Sequence, residues 1–168
     1  MNRYCKKFAV LIVGASLIGG APTASAVSNV SRVVDGDTIT MSNGEKVRLI
    51  QIDTPELTSK GCYGSEARLA LAKLLNQPGK VTLTTDPKLD KTDKYGRSLR
   101  YVFIGKINLN LKMVEIGAAT PYFYRSEKGI YATQFLKAAQ NAQKLGLGLW
   151  RVCPGTRLSP NNAVQTRA

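Results

Sequence analysis

Residues 30–56 read VSRVVDGDTITMSNGEKVRLIQIDTPE and contain three short runs rich in β-forming residues. The runs cover Val30–Val34, Thr38–Met41 and Lys46–Ile52, and Asp-Gly and Asn-Gly pairs separate them. Asn43-Gly44 is a strong hairpin signal, because both residue types tolerate a positive φ. The stretch therefore predicts a three-stranded meander at the start of a domain.

Further along the chain, the apolar periodicity predicts helices and two more strands. The predicted elements are a helix from Glu66 to Leu75 capped by Gly64 or Ser65, strands at Lys80–Thr85 and Arg97–Ile104, and helices at Asn108–Ile116 and Ile130–Leu145. This order matches a five-stranded Greek-key barrel of the OB type with about three helices, an α+β fold that is mainly β. The predicted domain covers residues 27–153, and the polar residues 154–168 are expected to form a flexible tail.

The N-terminal residues predict a signal peptide rather than part of the fold. A basic start is followed by an apolar run at residues 8–18 and by Ala24-Ser25-Ala26, so we expect cleavage after Ala26. The apolar run is shorter than the ~20 residues that span a bilayer, although a retained membrane anchor is the alternative. We therefore expect an exported protein, periplasmic or secreted, that is a monomer without a membrane anchor in its mature form.

The charge balance favours a polyanionic partner. The chain has 24 basic and 11 acidic residues and a net charge of +13. Removing residues 1–26 would take away three basic and no acidic residues, leaving a net charge of about +10. Such a surplus attracts nucleic acid by long-range electrostatics. It would equally suit acidic polysaccharide, a membrane surface, or a basic surface with no partner.

The absence of histidine excludes several classes of enzyme. Nucleases with a histidine base, Ser-His-Asp hydrolases and zinc enzymes with histidine ligands all need an imidazole. Hydrolytic chemistry would have to use carboxylates, Lys, Arg, Tyr and a hard cation. The expected mature chain keeps two cysteines, Cys62 and Cys153, which predict a disulfide in an oxidising compartment; two free thiols are the alternative.

Four clusters carry side chains suited to phosphodiester cleavage, and each of them also has a purely structural interpretation. They are Asp35-Gly36-Asp37-Thr38, the RLIQIDTPE run from Arg48 to Glu56, Asp93-Lys94-Tyr95-Gly96-Arg97, and Pro121-Tyr122-Phe123-Tyr124. Asp37 and Asp53 could hold a divalent ion through oxygen, and Glu56 could orient or deprotonate a water. Arg48 and Arg97 could bind the phosphate oxygens.

A purely structural role explains Arg48 least well of these residues. Burying a guanidinium in an apolar strand costs free energy unless the group is paired or bound to a ligand. Arg48 and Asp53 have opposite parity, so an ideal strand would place them on opposite faces. They converge only if the strand ends or bulges before Asp53, for which Pro55 is the expected cause.

At this order and spacing the clusters resemble the thermonuclease, or staphylococcal nuclease-like, family, here an exported bacterial member. The resemblance runs from about Val30 to Trp150 and includes VVDGDT, VRLIQIDTPE, TDKYGRSLRYV and the closing Gly148-Leu149-Trp150. It implies a calcium-dependent endonuclease that hydrolyses DNA and RNA and leaves 3′-phosphate ends.

The resemblance also implies roles for particular residues. Asp37 and Asp53 match calcium-ligand carboxylates, and Thr54 a backbone-carbonyl ligand. Arg48 and Arg97 match the phosphate-binding arginines, and Glu56 the catalytic glutamate. Four residues match the lining of the nucleotide pocket: Lys94, Tyr95, Tyr122 and Tyr124.

This chain departs from the family's pattern in two places, which bear on loop dynamics and substrate preference and not on the catalytic groups. The loop at residues 57–63 is short for the family, and Cys62 and Cys153 are not part of its core motif. A catalytically silent OB-type binding module and a basic polysaccharide-binding protein are the alternatives to a nuclease. A silent module typically loses the acidic or arginine residues of the site. This chain has all five of them: Asp37, Asp53, Glu56, Arg48 and Arg97.

Overall fold

The computed structural model describes residues 29–57 and 62–166. The predicted signal peptide, residues 1–26, lies outside these ranges. Within them, no helix has both the length and the apolar character needed to cross a bilayer.

A curled mixed sheet forms the framework of the domain. Its strands are β1 Val30–Val33, β2 Thr38–Met41, β3 Lys46–Leu49, β5 Val81–Thr84, β6 Ser98–Ile104 and β7 Ile107–Asn108, and a separate pair consists of β4 Ile52–Asp53 and β8 Thr120–Pro121. The main sheet has the order β1-β2-β3-β6-β5, with β7 added to β6. Neighbouring strands are antiparallel except β3 and β6, which run parallel. The predicted meander is confirmed as β1 to β3, and Gly44 has a φ of 85° in the hairpin turn.

The third predicted strand is divided into two. β3 ends at Leu49, and Gln51 adopts a left-handed conformation with a φ of 67°. The chain then changes partner, because β4 pairs with β8 instead of continuing in the main sheet. Asp53 therefore lies outside the strand that carries Arg48.

Four α-helices surround the sheet in the part of the chain that the structure describes, one more than expected. They are α1 Gly64–Leu75, α2 Leu109–Glu115, α3 Ala132–Lys144 and α4 Leu149–Val152. The predicted Asn108 cap is confirmed, since its side chain accepts a hydrogen bond from Leu111 N. The predicted cap of α1 is wrong: Tyr63 precedes the helix in a left-handed conformation, and no side chain caps it. The α+β class is confirmed, and the curled sheet matches the predicted OB type.

One buried carboxylate joins the sheet to the loop before α3. Asp86 is 2% exposed and accepts hydrogen bonds from the Tyr101 hydroxyl (2.6 Å), Ile130 N (2.7 Å) and Lys88 N (2.8 Å). A Cβ atom at Gly129 would collide with the Asp86 carboxylate, so this approach requires glycine. Burial would raise the pKa of Asp86, but the hydrogen bonds lower it on balance.

A disulfide and the C-terminal segment close the structure on the side of β4. Cys62, just before α1, forms a disulfide with Cys153, just after α4, in agreement with the prediction. The residues expected to be a flexible tail contain no helix or strand between 154 and 166. They nevertheless make hydrogen bonds back to the domain, two of them from Val164 N and Thr166 Oγ1.

Candidate active site

Arg48 forms ion pairs with two carboxylates that belong to different sequence motifs. Its Nη1 lies 2.9 Å from Asp37 Oδ2, and its Nη2 donates to Asp53 Oδ1 at 2.7 Å. The side chains of all three residues are at most 15% exposed. A guanidinium is well suited to this position because its planar fork can contact several oxygens at once.

The left-handed turn at Gln51 brings Arg48 and Asp53 together. It breaks the alternation of the strand, so that two residues of opposite parity reach the same side. Arg48 Nη1 also donates to the carbonyl oxygen of Ile52 at 3.0 Å, which fixes the guanidinium beneath the turn. The expected convergence of Arg48 and Asp53 thus occurs, but its cause is Gln51 and not Pro55.

The Asp35-Gly36-Asp37 turn holds Asp37 against the residues that follow β4. Asp37 N donates to Asp35 Oδ1, and Asp37 Oδ2 accepts from both N and Oγ1 of Thr54, each at 3.0 Å. A Cβ atom at Gly36 would lie 2.8 Å from the Thr54 side chain and from Ala67. Glycine is therefore required here for the turn to approach Thr54 and α1.

Burial and neighbouring charges shift the pKa values of this cluster. Burial raises the pKa of Asp37 to about 7; Asp35 and Asp53 add to the rise, while Arg48 opposes it. Burial also raises the pKa of Asp53, against the effect of Arg48 and of the Val164 N–H. Burial alone would lower the pKa of Arg48, but the surrounding carboxylates raise it.

Glu56 lies at the edge of this cluster. It is exposed, and its charge raises the pKa of both Asp53 and Arg48, although it is a minor cause beside burial in each case. Its backbone carbonyl abuts α1, since a Cβ atom at Gly64 would collide with Glu56 O. An exposed carboxylate beside a buried pair of carboxylates can contact a water that the buried pair cannot reach.

Arg97 is oriented by the loop that precedes β6. Its Nε donates to Asp93 Oδ2 at 2.7 Å, and its backbone N donates to Asp93 Oδ1 at 3.0 Å. Arg97 Nη1 lies 3.5 Å from Thr38 Oγ1, and Thr38 Oγ1 in turn donates to Asp37 Oδ1. Arg48 thus contacts Asp37 directly at Oδ2, whereas Arg97 is linked to Asp37 Oδ1 only through the Thr38 hydroxyl.

A cavity of about 440 Å³ brings the arginines and the predicted pocket residues together. Its lining includes Arg48, Arg97, Lys94, Tyr95, Tyr122 and Tyr124. Tyr95 is 72% exposed, with Lys94 Nζ 5.0 Å and Arg97 Cζ 5.6 Å from the centre of its ring. Aromatic faces can stack on nucleic-acid bases, and the cations beside them can bind phosphates.

Few side chains of the described residues are placed to act as metal ligands. Within residues 29–57 and 62–166, no group of three or more acidic, cysteine or histidine side chains is placed to hold an ion. Two carboxylates, Asp37 and Asp53, adjoin Thr54, and the backbone and water would have to supply the remaining oxygens. The charge favours a cation, because Asp35, Asp37, Asp53 and Glu56 surround the single guanidinium of Arg48. These residues fit a hard ion with oxygen ligands.

Several residues that shape the site had roles that were missed in the sequence, although Asp93 and Gln51 lie within the motifs identified there. Asp93 orients Arg97. Gln51 breaks the strand and also fixes the segment after the pocket tyrosines, because its Nε2 donates to Glu127 O and its Oε1 accepts from Gly129 N. Arg125 lines the cavity and lies 5.2 Å from the ring of Tyr124. Asp93 could have been found as the first residue of an Asx turn, whereas a glutamine gives no signal of a left-handed conformation.

Sequence comparison relates the chain to known nucleases. Residues 46–152 match the family model described as staphylococcal nuclease homologue. A thermonuclease of Staphylococcus intermedius is 37% identical over 72% of this chain and 74% of its own length. An uncharacterized endonuclease of Haemophilus influenzae is 39% identical over 75% of this chain and 68% of its own length, and a thermonuclease of Staphylococcus hyicus is 38% identical over 72% and 73%.

The fold and the family match define a nuclease, which is a hydrolase, on an OB-type core. More specifically, the chain belongs to the staphylococcal nuclease family. The resemblance noted in the sequence is thereby confirmed.

The buried position of Asp37 leads to a testable dependence of stability on pH. Because the folded-state pKa of Asp37 is raised to about 7, its contribution to stability is present below about pH 4 and is lost as the pH rises through about 7. In chelator, Asp37→Asn should remove this loss, a difference of roughly 4 kcal/mol for a rise of about 3 pKa units at 1.36 kcal/mol per unit. Urea unfolding of the parent and the variant between pH 4 and 8 measures it.

Asp86→Asn is the matched control. Its carboxylate is also buried but has a lowered pKa, so its contribution is present above about pH 4 and is lost at lower pH. Both variants should therefore differ from the parent mainly at high pH and in opposite directions, with Asp37→Asn more stable than the parent and Asp86→Asn less stable. Parallel curves for the parent and Asp37→Asn would contradict the environment assigned to Asp37.

Proposed function

We propose that this nuclease hydrolyses phosphodiester bonds of DNA and RNA, uses calcium, and leaves 3′-phosphate ends. Asp37, Asp53 and the backbone carbonyl of Thr54 would hold the ion. The observation that carries the proposal is the excess of carboxylates around Arg48 at the edge of a cavity whose lining includes Arg48, Arg97 and three tyrosines. Each part alone has a structural explanation, but together they provide separate positions for a cation, a phosphate and a base.

Calcium suits the oxygen set better than magnesium does. Two carboxylates and a carbonyl leave several positions to water, and calcium tolerates an irregular shell of six to eight oxygens. Magnesium requires a tighter octahedron at shorter distances. When bound, the ion would supply positive charge against the phosphate and its developing negative charge.

The chain's own residues would share the remaining tasks. Arg48 and Arg97 would bind the non-bridging phosphate oxygens and stabilise the more negative transition state. Arg48 Nη1 and Nη2 contact carboxylates and carbonyls, whereas its Nε forms no hydrogen bond with any described residue and remains available. Asp93 fixes the plane of the Arg97 guanidinium through Nε, which leaves its Nη groups directed towards Thr38.

Glu56 would orient or deprotonate the attacking water. It is exposed and beside Asp53, so a water could contact Glu56 while the phosphate contacts Arg48. An exposed carboxylate is a weak base, and its contribution would come mainly from position.

The nucleotide would occupy the cavity next to the arginines. Tyr95, Tyr122 and Tyr124 offer aromatic faces and hydroxyls for a base and sugar, and Lys94 adds positive charge. Aromatic stacking has little preference among bases, so this pocket supports a broad substrate range that includes both DNA and RNA.

We also propose that the protein is exported, in the periplasm or outside the cell, and that it acts as a monomer. The basic and apolar residues before Ala26 support export, and a disulfide between Cys62 and Cys153 is typical of an oxidising compartment.

Cleavage should depend on calcium. The purified mature chain should cut single- and double-stranded DNA and RNA in calcium, lose this activity with a calcium chelator, and regain it when calcium is restored. Gel analysis of labelled oligonucleotides measures the rate, and treatment of the products with a 3′-phosphatase identifies the ends. Undiminished cleavage in chelator would rule out the metal site.

Glu56→Gln should separate chemistry from binding. It retains the shape of the side chain but removes the base, so single-turnover cleavage should slow by about 10²–10⁴-fold. Affinity for DNA in chelator should change little, because no attraction to phosphate is removed. Circular dichroism checks that the variant is folded.

Two variants serve as controls for Glu56→Gln. Glu115→Gln removes an exposed carboxylate on α2, where Glu115 pairs with Lys112, and it should cut at the parent rate. Lys128→Ala should weaken binding and reduce its salt dependence, with turnover at saturation little changed. A folded Glu56→Gln variant that cuts as fast as Glu115→Gln would show that Glu56 is not the catalytic carboxylate.

A further inference from the structure

The C-terminal segment, residues 153–166, is attached to Cys62 at both ends. Cys153 begins the segment with its disulfide to Cys62, and Thr166 Oγ1 near the other end donates to the Cys62 carbonyl at 2.7 Å. Between these points Leu158 packs against the hydrophobic core. The segment therefore follows a defined path. Both of its ends contact Cys62, which lies six residues after Glu56 in the sequence.

Along this path the segment contacts two parts of the candidate active site. Pro160 O accepts a hydrogen bond from Phe123 N at 2.6 Å, between the two pocket tyrosines Tyr122 and Tyr124. Val164 N donates to Asp53 Oδ2 at 2.8 Å. Both contacts use backbone atoms, so neither depends on a particular side chain in the segment.

We propose that the C-terminal segment is a working part of the active site and that the Val164 N–H is a positioning group for Asp53. The inference rests on the proposed function, in which Asp53 is a ligand of calcium. It assigns a role to residues beyond position 152, where the match to the family model ends.

The two oxygens of Asp53 are held by different donors. Arg48 Nη2 contacts Oδ1 at 2.7 Å, and Val164 N contacts Oδ2 at 2.8 Å. Two donors on opposite oxygens prevent rotation of the carboxylate about its Cβ–Cγ bond. Each carboxylate oxygen can accept more than one contact, so both remain able to bind a cation.

The contact from Val164 gains importance when substrate binds. Arg48 is shared between Asp37, Asp53 and, in the proposed function, a phosphate oxygen. If the guanidinium turns towards phosphate, its hold on Asp53 weakens, and the Val164 N–H remains to fix the carboxylate. A ligand that is already oriented binds its ion more tightly than one that must first be ordered.

Proline at position 164 tests this role directly. Val164→Pro removes the N–H, whereas Val164→Ala shortens the side chain and keeps it. Calcium affinity of the full mature chain, with the disulfide intact, can be measured by isothermal titration calorimetry without substrate. We expect Val164→Ala to remain within about twofold of the parent and Val164→Pro to bind calcium about tenfold or more weakly, as befits a lost hydrogen bond to a charged group.

Thr166→Val controls for a general loosening of the segment. It removes the contact with Cys62 but leaves the Val164 N–H and Asp53 unchanged, so calcium affinity should stay within about twofold of the parent. The proposal would be overturned if Val164→Pro and Val164→Ala bound calcium with the same affinity, whether that affinity equals the parent's or lies below it. Failure of the parent to bind calcium would instead contradict the proposed metal site itself.

Discussion

The contact of Arg48 with Asp37 and Asp53 is the interaction on which the rest of the site depends. Two carboxylates this deeply buried would repel each other and favour protonation without a cation between them. The guanidinium permits their close approach, and its remaining donors are available for phosphate. A buried ion pair contributes little to stability by itself, so its presence here is better explained by the function of the site.

A backbone constraint makes this contact possible. Gln51 adopts a left-handed conformation that is uncommon for residues other than glycine, asparagine and aspartate. Its side-chain amide binds the backbone of Glu127 and Gly129, and its backbone carbonyl accepts from Tyr122 N. One residue thus turns Asp53 towards Arg48 and anchors the opposite wall of the cavity. Strain of this kind persists where the surrounding contacts support it, which is typical of functional sites.

Much of the fold was accessible from the sequence because the signals were local. The Asn43-Gly44 turn, the Asn108 cap and the runs of β-forming residues in β2 and β3 each depend on a few adjacent residues, and all were found. The short β4–β8 pair and α4 were missed, because pairs of two residues and single helical turns have no periodicity to detect. The path of residues 153–166 was also missed, since its contacts with Asp53 and Phe123 are made by backbone atoms and place no demand on residue type. Within the site, the motifs identified Arg48, Asp37 and Asp53 as a group, but not the turn at Gln51 that brings them together.

The most direct test of this account is to observe Arg48 itself as substrate binds. Nuclear magnetic resonance of its labelled guanidinium can be recorded with a non-cleavable dinucleotide, in calcium and in chelator. We expect the dinucleotide to shift the Arg48 Nε and Nη signals strongly in calcium and much less in chelator, because a bound ion neutralises the carboxylates and leaves the guanidinium free to bind phosphate. Arg48 signals that are unchanged by the dinucleotide in calcium would contradict it.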